Sequence, residues 1–464
     1  MNVISEIKSI HKELFGKVKG IHRLFIYAIF TISIDSFPWI PIETNNRPIF
    51  IFLLIIYWFS TKLILKEIYR FEIISLIILL VSWFYSVVCY TFIIETYAPL
   101  KKFLLTSTLS YITVCSSYFF IKTQSTRFSI NEVISIIGRA YIISFILPFA
   151  VGTLQILGIH YIPLQAVADN VSNLFSSAQN NIFEANRIKL ISNEPSQAGT
   201  YILYIFVYTK FMDMKKSFKF FLWATLIIFF VYINSSVVFL TIILVFVLNW
   251  ILYEDKNLNS IFRTLFIGMF LLMLMYIIYT FFLSEYTTQR LIQLEGLIKD
   301  ISLDNLILLS SVDFSVLDRF GTPIFGLYSL KFTNLIGTGG EGFYKVYEIV
   351  INTYFPLLTK NDYLAQQFID QTGTVKFLPV KVITEFGILG IMIVLYFFVK
   401  YVRYLLNNKK NLFIKNVNFA FIFAVLTSYV PSYFNFNFIL LVMIVFFAVS
   451  CHQMSDYKKS PKIT

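Results

Sequence analysis

Charge is scarce in this chain: only 14% of its 464 residues are Asp, Glu, Lys or Arg. A soluble domain carries about 25%, so a water-solvated globule is a poor fit. Cysteine is scarcer still. Cys89, Cys115 and Cys451 all lie in or beside apolar stretches, which excludes a disulfide framework and leaves no metal-binding spacing. Of the four histidines, His11, His22 and His452 lie near the termini and His160 stands alone on a predicted loop, an arrangement that argues against a zinc or di-metal centre. Apolar residues, by contrast, make up 57% of the sequence, with 52 Phe and 29 Tyr among the apolar and aromatic residues. Long apolar stretches recur from Leu24 to Ser450, and they predict an integral membrane protein.

The first 23 residues are polar and carry Lys8, Lys12, Lys17, Lys19 and Arg23. The apolar run that follows, Leu24 to Ile42, has no small-residue cleavage site and reads as an uncleaved first span. About twelve spans are predicted, near 24–42, 48–65, 71–95, 103–121, 133–158, 197–213, 218–233, 236–253, 261–283, 378–405, 416–430 and 434–451. Residues 219–253 would reach roughly 50 Å as one helix at about 1.5 Å per residue, whereas a hydrocarbon core is about 30 Å thick. That run is therefore divided at Asn234-Ser235-Ser236, and 417–451 at Pro431-Ser432. The halves are short, so helices that stop inside the membrane are an alternative.

With the amino terminus inside, the inner segments hold most of the lysine and arginine, while the short outer segments hold only Arg47, Lys101 and Lys102. The net charge of +12 is then largely topological, and no nucleic-acid partner is expected. Residues 1–464 read as one transmembrane domain of all-α class, a polytopic helical bundle with two outer loops, loop A at 159–196 and loop B at 284–377. Loop B is too long for a passive connector. It mixes helix-like stretches (Thr287 to Ile298, Asn361 to Asp370) with the glycine-rich "IGTGGEGF".

Three constellations could carry chemistry. Arg187, Lys189 and Glu194 precede Pro195 at the mouth of a span. They fit a snorkelling interfacial anchor or a site in which Arg187 clamps a phosphate and Glu194 acts as general base. Loop B offers Arg290, then Arg319 ahead of a predicted turn (Gly321, Pro323), and Gly337, Gly339, Gly340 and Gly342 beyond it. The glycines form a flexible turn or aim backbone amides at an anion. No Gly-Lys-Ser/Thr follows, which excludes a Walker loop. In "KFLPVKVITEFGILG", Lys381 and Glu385 are four apart, on one helical face at the outer end of a span. They fit a structural ion pair or a substrate contact.

The Glu-Pro-Ser turn, the Asn-Ser-Ser break, the arginine ahead of a Gly-x-Gly-rich turn and "EFGILG" opening the next span occur in one order. Together they resemble the O-antigen polymerase (Wzy) family of bacterial polysaccharide polymerases, related to the O-antigen ligases, from about Arg187 to the carboxyl terminus. The resemblance implies a multi-pass protein of the bacterial inner membrane, with both termini cytoplasmic and a periplasmic active face. It implies a glycosyltransferase that moves a growing glycan from undecaprenyl diphosphate onto a lipid-linked repeat unit, without metal or other cofactor. Arg187, Glu194 and Arg319 would then be catalytic. Arg290, Gly337, Gly339, Gly340, Tyr344, Lys376, Lys381 and Glu385 would contact substrate, with Tyr347 and Tyr354 as further platforms for sugar rings.

Two departures stand out. Ala198 lies eleven residues after Arg187, where the family's paired-arginine motif has Gly, and Gly199 follows it. Lys376 stands where a ligase-like pattern has His, which argues against a ligase. Expected partners are the lipid-linked oligosaccharides, membrane lipid, a chain-length regulator and a flippase. The alternative functions are a lipid-linked oligosaccharide flippase and an O-antigen ligase.

Overall fold

The computed structural model describes residues 3–34, 48–66, 68–175, 188–192, 195–233, 321–356, 374–407, 412–428 and 435–459, with scattered positions in 235–248. All regular structure among them is helical. In chain order the helices are α1 (Val3–Lys17), α2 (His22–Phe30), α3 (Ile49–Leu65), α4 (Arg70–Phe92), α5 (Leu100–Ser125), α6 (Ile130–Ser144), α7 (Ile146–His160), α8 (Gln165–Asn173), α9 (Pro195–Thr209) and α10 (Lys216–Ile233). After them come α11 (Thr322–Phe332), α12 (Phe343–Tyr354), α13 (Leu378–Asn407), α14 (Leu412–Leu426) and α15 (Phe436–Lys459).

Five segments among the described residues are long and apolar enough to cross a membrane: Arg70–Phe92, Leu100–Ser125, Ile130–His160, Lys216–Ile233 and Leu378–Tyr404. Three shorter apolar helices, Ile49–Ile64, Phe413–Leu426 and Phe436–Ser450, fall where further spans are predicted. The Ile130–His160 segment is α6 and α7 joined at Phe145. Pro148 has no N–H to close onto the Ser144 carbonyl, so the helix is interrupted there. At the expected break after α10, Ser235 is non-helical and buried, while Asn234 and Ser236 lie outside the described residues. Helix α14 ends at Leu426, and Pro431 and Ser432, where the second break is expected, lie outside the described residues.

Two apolar clusters are the largest among the described residues. The larger is built from α1, α2, α3, α5, α6, α9, α10, α14 and α15, with Phe25, Tyr57, Phe120, Tyr141, Tyr204 and Leu440 buried in it. The smaller joins Phe325 of α11 to Phe343, Tyr347 and Ile351 of α12 and to Val375. Long apolar side chains also face outward, among them Ile77, Val81 and Phe84 on α4 and Met392, Leu395 and Phe397 on α13. Apolar faces of this extent suit lipid as solvent. These helices have the pattern of a multi-pass membrane protein.

The polar first segment is not a loose tail. In α1, Ile10 and Leu14 are buried, and ion pairs join Glu13 to Arg139 at 2.7 Å and Lys17 to Glu132 at 3.3 Å. A further pair links Glu6 to Lys215.

Candidate functional site

The helix α13 is not one rod. Gly387 has φ 55° and ψ −131°, a conformation that side chains rarely allow. The break leaves a short half, 378–386, and a second half, 388–407. The second half measures about 30 Å at 1.5 Å per residue, enough to cross a bilayer alone. A broken helix exposes backbone groups that must find partners away from water. Here the glycine-rich stretch 335–341 supplies them. Thr338 N–H donates to the Thr384 carbonyl at 3.0 Å and Gly339 N–H to the Glu385 carbonyl at 2.9 Å, while Ile388 N–H donates to the Leu335 carbonyl at 2.8 Å.

The glycine stretch is held from its other side by α4 and α5. Gly340 N–H donates to Ser86 Oγ at 2.9 Å, and the hydroxyls of Tyr85 and Tyr90 donate to the Ile336 and Gly340 carbonyls. A Cβ on Gly340 would run into the Phe103 ring, so only glycine lets the backbone lie against α5. The remaining amides are also used internally. Gly337 N–H donates to Thr333 Oγ1 at 3.3 Å, Glu341 N–H to Glu385 Oε1 at 2.9 Å and Gly342 N–H to the Gly339 carbonyl at 3.1 Å. Gly337, Gly339 and Gly340 therefore have no amide left over for the anion cradle that is one of the two readings of this stretch, and the chain does turn at 340–342. Their amides are spent in a packed joint.

A charge cluster fills the joint. Lys381 Nζ lies 2.7 Å from Glu341 Oε1, 3.7 Å from Glu385 Oε1 and 3.3 Å from Thr374 Oγ1. Glu341 is 7% exposed, Lys381 and Glu385 1% each. The second oxygen of Glu341 receives Lys102 Nζ at 3.1 Å, and the Lys102 side chain is 52% exposed. Burial alone would raise the Glu341 carboxyl's pKa, but the Lys381 and Lys102 ammonium groups outweigh it and hold that carboxyl below the ordinary range. A carboxylate so clamped is a weak proton acceptor. Glu341 is a charge partner here.

The other described positions fall around this joint. Lys376 is half-buried and its N–H donates to Thr322 Oγ1 at 3.1 Å, which ties it to the start of α11. The turn expected at Gly321 and Pro323 is the first turn of that helix. Tyr344 is buried, its hydroxyl has no hydrogen-bond partner among the described residues, and burial pushes its pKa up. Tyr347 is fully buried against Phe325 and Phe343, so it is core and offers no face to a sugar. Tyr354 packs on Tyr328 and Phe332. Arg187, Glu194, Arg290, Arg319 and the stretches Thr287 to Ile298 and Asn361 to Asp370 lie outside the described residues.

The chain entering α9 is described at 188–192. Ile188, Leu190 and Ile191 are buried, and so is Lys189 at 2% exposure, which corrects the expectation of a snorkelling lysine. Gln155 of α7 holds this stretch. Its Oε1 accepts from Leu190 N–H at 2.9 Å, and its Nε2 donates to the Leu190 carbonyl at 2.8 Å and to Ser172 Oγ at 2.7 Å. Beyond Pro195, Tyr201 reaches Ser144 Oγ at 2.7 Å, and Tyr204 reaches Thr427 Oγ1 at 3.1 Å. The next residue, Ser428, accepts Leu378 N–H at 3.1 Å. The end of α14 thus bridges the segment after loop A to the segment after loop B.

Nothing local in the sequence points to Ser86, Tyr90 or Lys102, because hydropathy and charge give the first five spans only a topology. One signal was available: Lys101 and Lys102 are adjacent cations on the side where the charge count expects few.

The fold and the joint define an all-α, multi-pass membrane protein in which a glycine-rich loop is ion-paired into a broken helix. No protein-family model, curated protein or solved structure matches the chain.

Proposed function

We propose that the chain is a metal-independent membrane glycosyltransferase, an O-antigen or capsular polysaccharide polymerase. It transfers a growing glycan from undecaprenyl diphosphate onto a lipid-linked repeat unit at the periplasmic face of the bacterial inner membrane. The observation that supports this reading is the joint itself. A long loop between spans is anchored by buried ion pairs to a broken helix, with one lysine of the cluster left at the surface. Anchoring of this kind suits a loop that must hold a charged lipid headgroup in a fixed place.

In the proposed reaction the acceptor sugar hydroxyl attacks the anomeric carbon of the donor glycan. The carbon–oxygen bond to the diphosphate breaks, the hydroxyl proton passes to Glu194, and the diphosphate leaves with the bond's electron pair. Arg187 and Arg319 neutralise the charge that grows on the departing diphosphate, so they act most strongly in the transition state. The weak basicity of Glu341 leaves Glu194 as the preferred base.

The test is polymer formation from purified lipid-linked repeat units at matched protein amount. Glu194→Gln is expected to lose about 10²–10⁴-fold in turnover, and Arg319→Lys to restore little of what Arg319→Ala removes, because lysine lacks the planar fork. Near-normal polymer from Glu194→Gln would remove Glu194 as base. In cells, deletion of the gene should abolish the lipopolysaccharide ladder but keep one repeat unit; loss of every repeat would indicate a flippase or a ligase.

A further inference from the structure

On the predicted inner side, Arg139, Lys17 and Lys62 are each matched with a carboxylate, of Glu13, Glu132 and Glu72 respectively. Lys210 and Lys219 depart from that pattern. Both are half-buried, and among the described residues neither has a carboxylate within ion-pair distance. Lys210 follows the last turn of α9. Its Nζ lies 3.3 Å from the centroid of the Phe419 ring on α14 and 5.9 Å from that of Phe206. Lys219, in the first turn of α10, lies 5.3 Å from the Trp223 ring. Trp223 packs on Phe206 at 5.0 Å and donates to Thr209 Oγ1 at 2.9 Å. The two rings thus join the lysines into one patch, in which the ammonium groups repel each other. Asp213 attracts Lys219 from beyond ion-pair distance. An aromatic face gives an ammonium about 0.5–2 kcal/mol but leaves its charge in place. The start of α10 adds its own positive end, with no acidic residue in the first turn.

The patch opens onto an apolar stripe. Lys216, Lys219, Phe220, Trp223 and Ile227 are spaced to share one side of α10, and Phe220 and Ile227 are exposed. The helix itself is long and apolar enough to cross a membrane. Cations at its start, then aromatic rings, then aliphatic surface follow the order of a phospholipid from headgroup to acyl chain. We propose that Lys210 and Lys219 bind the phosphate of an anionic phospholipid, with Lys216 at the rim and an acyl chain laid along Phe220 and Ile227. The phosphate supplies the countercharge that the patch lacks. A free phosphate would satisfy the lysines but leave the stripe uncovered, so the stripe selects the lipid. This site is independent of the polymerase reading and lies apart from the glycine joint.

The test offers the full chain in detergent an equimolar mixture of phosphatidylglycerol and phosphatidylcholine, counts the bound lipids by native mass spectrometry, and follows thermal unfolding with each lipid alone. Wild type should retain phosphatidylglycerol in preference and melt higher with it, because a ligand of the folded state stabilises that state. Lys210→Gln should cut the preference about tenfold, the loss expected for one charged hydrogen bond, while melting with phosphatidylcholine as wild type does. Lys219→Gln should act in the same direction and Lys219→Arg should retain the preference, and this pair carries the test if Lys210→Gln does not fold. Lys8→Gln, at an exposed lysine of α1, should cost less than about fivefold, the scale of one lysine near an anionic surface. A wild type without lipid preference overturns the proposal. So does a preference that survives both glutamine variants, since the lysines would then belong only to the aromatic packing. An equal loss in Lys8→Gln overturns it in favour of bulk electrostatics. Inorganic phosphate that raises the melting temperature in phosphatidylcholine as far as phosphatidylglycerol does overturns the choice of a lipid.

Discussion

Lys381 is the most constrained ionised side chain of the joint, with two carboxylates and a threonine hydroxyl within 3.7 Å and 1% exposure. Deleting one partner of a buried ion pair leaves charge without compensation and costs about 3–5 kcal/mol. Lys381→Met strands Glu341 and Glu385 with Lys102 as their remaining cation. It is expected to lower the melting temperature markedly in detergent, and Lys381→Met combined with Glu385→Met should recover part of the loss. Unchanged melting of the single variant would show that the pair is not buried as described. The Lys381–Glu385 spacing was legible in the sequence, because a four-residue offset on a helix leaves little choice. The partner that matters more, Glu341, was not, since nothing local to "IGTGGEGF" says which distant lysine faces it.

At the scale of elements, "EFGILG" reads as the opening of a span, and the apolar run from Ile388 onward bears that out by length. The break ahead of it is invisible to hydropathy, because Gly387 sits between a phenylalanine and an isoleucine and the apolar pattern runs straight through. Only the tertiary partner explains it: the carbonyls of Thr384 and Glu385 are turned to amides of the glycine stretch. A Cβ at Gly387 would collide with the Leu335 and Ile336 carbonyls, in a conformation that itself costs about 1–3 kcal/mol for a side chain. Gly387→Ala is therefore expected to destabilise more than Gly16→Ala, whose Cβ meets nothing within 4 Å. Limited proteolysis of the two variants across 336–342 checks this, and equal cleavage would count against the joint.

For the whole molecule, the helical class and the membrane habit were legible because lipid demands long apolar runs, and these are rare by chance. Orientation is a separate matter, carried by the distribution of lysine and arginine. Single cysteines at Ser176 and Ser315 should react with an impermeant thiol reagent from the periplasmic side, and one at Ser217 should not. The reverse pattern would place the glycine joint on the cytoplasmic face and end the case for periplasmic chemistry. The native Cys89 and Cys115 are buried and should stay silent in such labelling.

The broken helix also bears on how the chain is built. Its first half emerges from the ribosome with Lys381 and Glu385 four residues apart, where lipid leaves them only each other, 3.7 Å apart in the finished fold. Their complement is the already synthesised Glu341, itself tied to Lys102 on a hairpin made much earlier. The half-helix therefore has its charges fully matched only where the α4–α5 hairpin and the glycine stretch meet it, so this joint can close only after chain from both halves of the protein has been made.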